Sequence, residues 1–436
     1  MKSFYIETYG CQMNLSDSES IAGILESAGM QAVAAPEEAD LIIINTCTVR
    51  ESAVSRVRAQ ISRFKPMRAK RKVKIAVAGC LAQQEKEALF KSLPVDYVIG
   101  PDHYAFLTEL LKEKRACRAE EASRRDFYSE FPRKRKKGVN TWVPIMRGCD
   151  NFCSYCIVPV VRGREMSRPA EDVFRDIEEA VGEGFPEITL LGQNVNSYRN
   201  GGLDFPALLR KTIEIRGLKR LRFMTSHPKD LSDSLIRCYG EVPALCEFLH
   251  LPVQSGSNSV LSRMNRGYTR ESYLTVVDKL RKRVPDMALS TDILCGFPGE
   301  TEQDHTATLA LVKEVEFDSA FMFVFSPRTG TAAAGMEPQV ERGVKVARVK
   351  EVIAAQMEIT GRKNRACIGR TMEVLVEGPS PRDPAEVTSR TRTFKNVILQ
   401  GNKTPAGAFL NVKITGSSGW ALQGEPCERE RSKPCG

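Results

Sequence analysis

Hydrophobic and polar positions along the first hundred residues follow a repeating strand-then-helix rhythm. FYIETYG (4–10) reads as a strand, and Ser16-x-x-Glu19 predicts a capping box at the start of the next helix. DLIIINT (40–46) reads as a buried strand followed by an amphipathic helix over 49–63. VKIAVAG (73–79) repeats the strand, with a helix near 83–91. This alternation predicts a small, mostly parallel α/β sheet over residues 1–118.

Six further strand–helix units follow. Their strands read VPIMRG (143–148), EITLLGQ (187–193), RLRFMTS (220–226), FLHLPVQ (248–254), ALSTDILCG (288–296) and SAFMFVFS (319–326). Helices are expected at 171–182, 231–239, 257–264, 270–283 and 301–315. Six units predict a partial (β/α)6 barrel over 135–364, two units short of the eight-fold form, with its chemistry at the C-terminal strand ends. Those ends carry Gln193 and Asn194, Ser226 and His227, Gln254 and Ser255, and Asp292, a convergence suited to a highly polar cofactor. A Lys- and Arg-rich helix at 341–364 leads away. Residues 367–427 then alternate in MEVLVEG, FKNVILQ and AFLNVKIT between Gly, Pro and Ser, which predicts a small antiparallel β-barrel. The tail EPCERERSKPCG has no such pattern and is expected to be disordered.

Cysteine placement adds chemistry to this frame. Cys149, Cys153 and Cys156 in RGCDNFCSYC offer three thiolates from one turn, with no fourth cysteine or histidine nearby. A structural zinc site closes itself with four protein ligands, and a four-iron cluster is usually held by four cysteines. Three thiolates therefore leave one iron open to a small molecule. Cys11, Cys47 and Cys80 each follow a strand of the first domain, where parallel sheets bind ligands. Polar or small neighbours flank them, and they predict a second three-cysteine cluster. The buried-thiol alternative is weighty for a single cysteine but not for so tight a triplet.

The 436 residues are 42% hydrophobic and 27% charged, as in a soluble globular protein. No run approaches the ~18 apolar residues of a membrane helix, and the N-terminus opens on a strand rather than a leader. A cytoplasmic location is expected, where thiols stay reduced; the odd total of 13 cysteines also fits metal binding better than disulfides. Lys and Arg exceed Asp and Glu by 64 to 54, for a net charge of +10. Segment 123–137 concentrates seven basic against two acidic residues, and 367–424 seven against four. Such bias suits either a solvated surface or a nucleic-acid contact.

TYGCQMN, NTCTVRESA, AGCLAQQ, CSYCIVPVVRGREMSR, HLPVQSGS, TDILCGFPGET and FSPRTGT occur in the order seen in one group of proteins. RGCDNFCSYC resembles the signature of the radical S-adenosylmethionine (SAM) superfamily, and the three-part layout resembles its methylthiotransferases, whose C-terminal barrel is a TRAM domain. RGCDNFCSYC and LLGQNVNSY resemble the branch that adds a methylthio group to C2 of isopentenylated adenosine beside the tRNA anticodon. One departure is Ser389, where the resemblance leads one to expect glycine and a different turn.

The resemblance implies two [4Fe-4S] clusters. Cys149, Cys153 and Cys156 would hold the one that binds SAM and yields a 5′-deoxyadenosyl radical. Cys11, Cys47 and Cys80 would hold the one that carries the sulfur. Radical chemistry suits the target, because the C–H bond at C2 is not activated for acid–base attack. Tyr155 falls where relatives contact the SAM adenine, and Gln193, Asn194, Ser226 and Gln254 are candidate SAM contacts. Asp292, Gly296 and Gly299 either shape a loop over the adenine or cap a helix. His103, His250 and His305 are expected to be structural, and only His227 stands at the expected rim. Arg390, Arg392 and Lys395, with the 133–137 run, would grip phosphates of the tRNA anticodon arm. An electron donor and a sulfur source are implied as partners, no membrane is, and a monomer is expected. Two alternatives stay open: a sister branch acting on threonylcarbamoyladenosine or a ribosomal-protein aspartate, and a non-catalytic RNA-binding protein stabilised by metal.

Overall fold

The apolar runs at 41–46 and 74–79 become adjacent inner strands of a six-stranded sheet. In this computed structural model, residues 1–48, 51–120, 133–401 and 404–427 are described, without the side chains of 51–53. The tail from 428, residues 121–132 of the basic segment, and residues 49–50 lie outside the described residues. The first sheet comprises β1 (Ser3–Tyr9), β2 (Gln31–Ala32), β3 (Leu41–Thr46), β4 (Lys74–Gly79), β5 (Tyr97–Ile99) and β6 (Ala116–Arg118). Its order is β2-β1-β3-β4-β5-β6, every neighbouring pair is parallel, and β3 is buried along its whole length. Helices cover both faces, so strands in the middle must be apolar on both sides.

The first helix differs from expectation at its start. It spans Gln12–Ser27 with Cys11 at its N-cap, and the Asn14 side-chain oxygen accepts the Cys11 backbone N–H at 3.3 Å. Ser16 and Glu19 are therefore buried inside the helix rather than capping it. The Glu19 carboxylate instead accepts the Lys136 backbone N–H at 3.2 Å, tying the helix to the chain entering the barrel.

The barrel strands are β7 (Asn140–Pro144), β10 (Glu187–Leu191), β13 (Arg220–Phe223), β14 (Phe248–His250), β15 (Ala288–Cys295) and β16 (Ser319–Val324). Short pairs sit between them: β8 (Met146–Arg147) with β9 (Met166–Ser167), and β11 (Arg199–Asn200) with β12 (Leu203–Asp204). The six long strands form two parallel triplets, β13-β10-β7 and β14-β15-β16. A parallel bridge between Leu221 and Leu245 joins the triplets into one open barrel. One core cluster, including Val143, Ile188, Leu221, Leu249 and Leu289, runs beneath all of it.

A 24-residue helix, Arg342–Arg365, leads to a closed barrel of β17 (Thr371–Pro379), β18 (Glu386–Thr391), β19 (Asn396–Gln400), β20 (Phe409–Ser418) and β21 (Ala421–Pro426). Ser389 does not sit in a turn. It is buried in β18 opposite the bulge between Val376 and Gly378, and its hydroxyl donates to the Val397 carbonyl at 2.9 Å.

This small barrel seals the N-terminal end of the large one. Arg222 donates to the carbonyls of Arg392 (2.7 Å) and Thr391 (2.9 Å), and Arg220 to that of Arg390 (2.8 Å). Phe394, at φ 65°, stacks on Phe248 with ring centres 4.6 Å apart. Arg390, Arg392 and Lys395, expected to form a basic RNA face, all stand in ion pairs here. Arg390 pairs with Glu377 (2.6 Å), Arg392 with Glu247 (2.8 Å) and Lys395 with Asp318 (3.1 Å). Arg392 and Lys395 pair across the domain junction, whereas Glu377 lies in β17 of the same small barrel as Arg390. Arg133 and Arg135 are likewise committed, both pairing with Asp176. Among the described residues no helix is long and apolar enough to cross a membrane.

Candidate active site

The cysteine triplet lies in the loop between β8 and β9, so an antiparallel clasp closes its base. Gly148 enters at φ 68° with its α-carbon against the Arg164 carbonyl, leaving no room for a side chain. Within the loop Asn151 Nδ2 donates to Cys149 Sγ (3.4 Å), and the Cys156 N–H donates to the Cys153 carbonyl (2.9 Å). Ser154 fastens the loop to the barrel: its N–H reaches the Met264 carbonyl (3.0 Å) and its hydroxyl that of Arg263 (2.8 Å). Burial raises the Cys149 thiol and pushes Cys156 up to about 12. Metal loading must therefore release those protons.

Arg266, which sequence reasoning missed, donates from Nη1 to Cys153 Sγ at 3.3 Å. The same nitrogen reaches the Tyr155 hydroxyl (3.3 Å), Nε the Tyr268 hydroxyl (2.9 Å), and Nη2 the Pro252 carbonyl (2.8 Å). Tyr155 is half-buried against the cluster of Val260, Met264, Phe297 and Phe325. No local pattern marks Arg266; its role depends on a loop more than a hundred residues from the triplet (|i−j| of 113).

The strand ends carry several buried polar atoms without hydrogen-bond partners: Gln193 Oε1, Asn194 Oδ1, Ser226 Oγ and His227 Nε2. Asn194 Nδ2 is held by Asp230 at 2.7 Å, so its free oxygen has a fixed direction. Thr225 and Gln254 adopt φ of 66° and 70°, strained positions for residues with side chains. Unsatisfied buried groups are costly in a folded protein unless something binds them. Together with the thiols they fit a polar cofactor at the barrel mouth. His227 Nδ1 accepts the Lys229 N–H at 3.3 Å, and burial, then Arg266 and Lys229, push the imidazole pKa down to about 2. Asp292 lies 3.6 Å from His250. The turn from Gly296 to Gly299 is anchored by Glu300, which accepts the Gly296 N–H (3.0 Å) and pairs with Arg348 (2.9 Å).

The other three cysteines meet at the C-terminal edge of the first sheet. The register pairs Tyr9 with Thr46 and Thr46 with Gly79, so the residues that follow these strand ends lie side by side. Gly10 runs so close to Cys47 that an added Cβ would stand 2.7 Å from the Cys47 Cβ. Gly79, at φ 90°, has the Asn45 side chain and the Thr46 carbonyl 2.5 Å from where a Cβ would be. Asn14 and Asn45 knit the loops from below: Asn45 Nδ2 donates to the Asn14 carbonyl (2.8 Å), and Asn14 Nδ2 to that of Thr46 (3.2 Å). Arg162, on the helix Val158–Arg162 just after the first triplet, donates to Cys80 Sγ at 3.3 Å. Ile157 and Val161 pack on the same cysteine. Among the described residues, no three His, Cys, Asp or Glu side chains converge as ligands of a single ion. Cluster ligands bind separate irons and need no such convergence.

An open barrel with a three-cysteine loop after its first strand defines a radical SAM enzyme. Residues 143–312 match the radical SAM superfamily model, 3–100 the model described as uncharacterized protein family UPF0004, and 365–427 the TRAM domain. The chain belongs to the radical SAM tRNA methylthiotransferases, in the family of the tRNA-2-methylthio-N(6)-dimethylallyladenosine synthases. The protein of that name from Carboxydothermus hydrogenoformans is 47% identical, over 97% of this chain and 99% of its own. That from Thermoanaerobacter pseudethanolicus is 45% identical over 98% and 93%. Among solved structures, the radical SAM methyltransferase TsrM from Kitasatospora setae shares the fold with a TM-score of 0.59. It is 17% identical, and the match covers 77% of this chain and 75% of that one. As a radical SAM enzyme the protein uses SAM and a [4Fe-4S] cluster.

Proposed function

We propose that this enzyme adds a methylthio group to C2 of N(6)-isopentenyladenosine beside the tRNA anticodon. Cys149, Cys153 and Cys156 hold the SAM-binding cluster, and Cys11, Cys47 and Cys80 hold a second [4Fe-4S] cluster that carries the sulfur. When bound, SAM and the cluster supply one-electron chemistry able to break an unactivated C–H bond. The protein positions these groups. Arg266 fixes Cys153, Tyr155 and Tyr268 in one network, while Gln193, Asn194, Ser226 and Gln254 turn polar atoms toward the cofactor at the barrel mouth. The observation that carries this reading is the packing of the segment that follows the first triad on a cysteine of the second: Ile157, Val161 and Arg162 all lie against Cys80.

The fold supports working units of 1–118, 135–364 and 367–427. Arg392 and Lys395 pair across the domain seam and Arg390 pairs within the small barrel, while Lys136 and Lys137 of the 133–137 run are exposed and offer further cations to phosphates of the anticodon arm. The enzyme acts in the cytoplasm as a monomer and takes its electron and its replacement sulfur from other proteins.

Mass spectrometry of tRNA nucleosides from cells lacking the protein tests the assignment. The expected result is loss of the 2-methylthio group with the isopentenyl group retained. Reconstituted enzyme that methylthiolates only threonylcarbamoylated tRNA would move it to the sister branch. Protein with both clusters that forms no 5′-deoxyadenosine would overturn the mechanism.

A further inference from the structure

Among the described residues a guanidinium reaches a thiol in each cysteine triad, Arg266 in one and Arg162 in the other, and the two differ in what stands behind them. Arg266 touches Cys153, and its other hydrogen-bond partners are two tyrosine hydroxyls and a carbonyl. Arg162 touches Cys80 at 3.3 Å through Nε, while its Nη2 donates to Asp17 Oδ2 at 2.6 Å. Asp17 belongs to the helix capped by Cys11. Arg162 is 5% exposed, so both bonds form away from solvent. A buried ion pair of this kind seldom adds stability over apolar packing of the same volume. Its position, against a thiol of one triad and on the chain segment leaving the other, points to a role at the cluster.

We infer that the Arg162–Asp17 pair sets the reduction potential of the cluster held by Cys11, Cys47 and Cys80. Arg162 favours the reduced form, and Asp17 opposes it. The inference rests on the second-cluster reading proposed above. Reduction adds one electron and one negative charge to a cluster, with no bond made or broken. An N–H donated to a ligand sulfur and a nearby cation both stabilise that charge, and cluster potentials follow such contacts. A carboxylate 2.6 Å from the guanidinium cancels much of its field, in surroundings where water screens little. Arg266 has no carboxylate among its hydrogen-bond partners, so the SAM-binding triad keeps its cation's full effect. An arriving electron is thereby directed to the radical-forming cluster, and the sulfur-carrying cluster is harder to reduce.

The test uses full-length protein with Cys149→Ala, Cys153→Ala and Cys156→Ala, leaving only the N-terminal site. It is reconstituted anaerobically with iron and sulfide, and titrated electrochemically with electron paramagnetic resonance as the readout. Adding Arg162→Gln should shift the midpoint to more negative potential, by at least a tenfold loss in preference for the reduced form (about 59 mV for one electron). Adding Asp17→Asn should shift it the opposite way, and Arg162→Lys should fall between parent and Arg162→Gln. A purely structural role predicts no such opposition in sign. If Arg162→Gln does not fold, the positive shift in Asp17→Asn decides the matter alone. Absence of iron from the triple-alanine protein overturns the second-cluster reading. Iron bound, with midpoints that fail to move in opposite directions, overturns this inference.

Discussion

Arg266 and Cys153, distant in sequence, meet at 3.3 Å, Nη1 donating to the thiol sulfur. The guanidinium also satisfies the Pro252 carbonyl and the Tyr268 hydroxyl. Arg266→Met removes the donor to the Cys153 sulfur and the shorter of two bonds to the Pro252 carbonyl, whereas the Tyr268 hydroxyl still donates to the Val253 (2.8 Å) and Pro252 (3.3 Å) carbonyls. The expected outcome is a stability loss of about 1–3 kcal/mol, with 5′-deoxyadenosine yield reduced more than tenfold. Denaturant titration and product chromatography measure the two. An unchanged denaturation midpoint would show that water replaces the guanidinium.

Glu187 and Arg222 form a buried pair at 2.8 Å inside the barrel. Arg222→Met leaves the buried Glu187 carboxylate with only the Asn140 amide at 2.8 Å and the more distant Arg220 at 4.0 Å, and removes two donors from the TRAM seam, so about 2–4 kcal/mol of stability should be lost. Adding Glu187→Gln should recover part of that loss. A double variant no more stable than Arg222→Met would place the whole effect in the seam carbonyls.

His227 gives a pH dependence of defined sign. Its folded pKa is about 2, below the usual value of 6.5. The unfolded chain therefore takes up a proton below pH 6.5 that the folded protein refuses. This histidine's contribution is complete above pH 6.5 and is lost as pH falls from 6.5 toward 2. Below pH 6 stability should decline by about 1.4 kcal/mol per pH unit from this residue alone. His227→Gln should lack that part of the slope, as urea titrations at pH 5, 6 and 7 would reveal. Parallel slopes in the two proteins would mean that His227 is solvated.

Gly79 turns the chain into Cys80 at φ 90° with no space for a Cβ. Gly79→Ala should displace the Thr46–Cys47 loop, reducing bound iron by about half while SAM cleavage persists, with strain of order 1–3 kcal/mol. Iron assay and 5′-deoxyadenosine formation separate the two sites. Full iron content would show that the loop yields without losing its ligands.

Local pattern made much of this fold legible. Helix 270–283 matches its sequence pattern to the residue, because its apolar spacing and Thr269 cap act within the segment. The cysteines at 11, 47 and 80 were placed after strands because each strand announces its own end. The capping box differs because Ser16 and Glu19 satisfy a local rule that Cys11 and Asn14 satisfy five residues earlier. Strands β2, β5, β6, β18 and β21 were not anticipated, since short or polar strands depend on their neighbours for definition.

The sequence by itself determined the order of the domains and which thiols stand at strand ends, since periodicity and spacing are local properties. The tertiary structure decided which charge answers which. It paired Arg392 and Lys395 across a domain seam and Arg390 with Glu377 within the small barrel, and set Arg162 on Cys80 and Arg266 on Cys153. A cation's partner is whichever group the fold brings within reach. Only the packing of distant segments settles that.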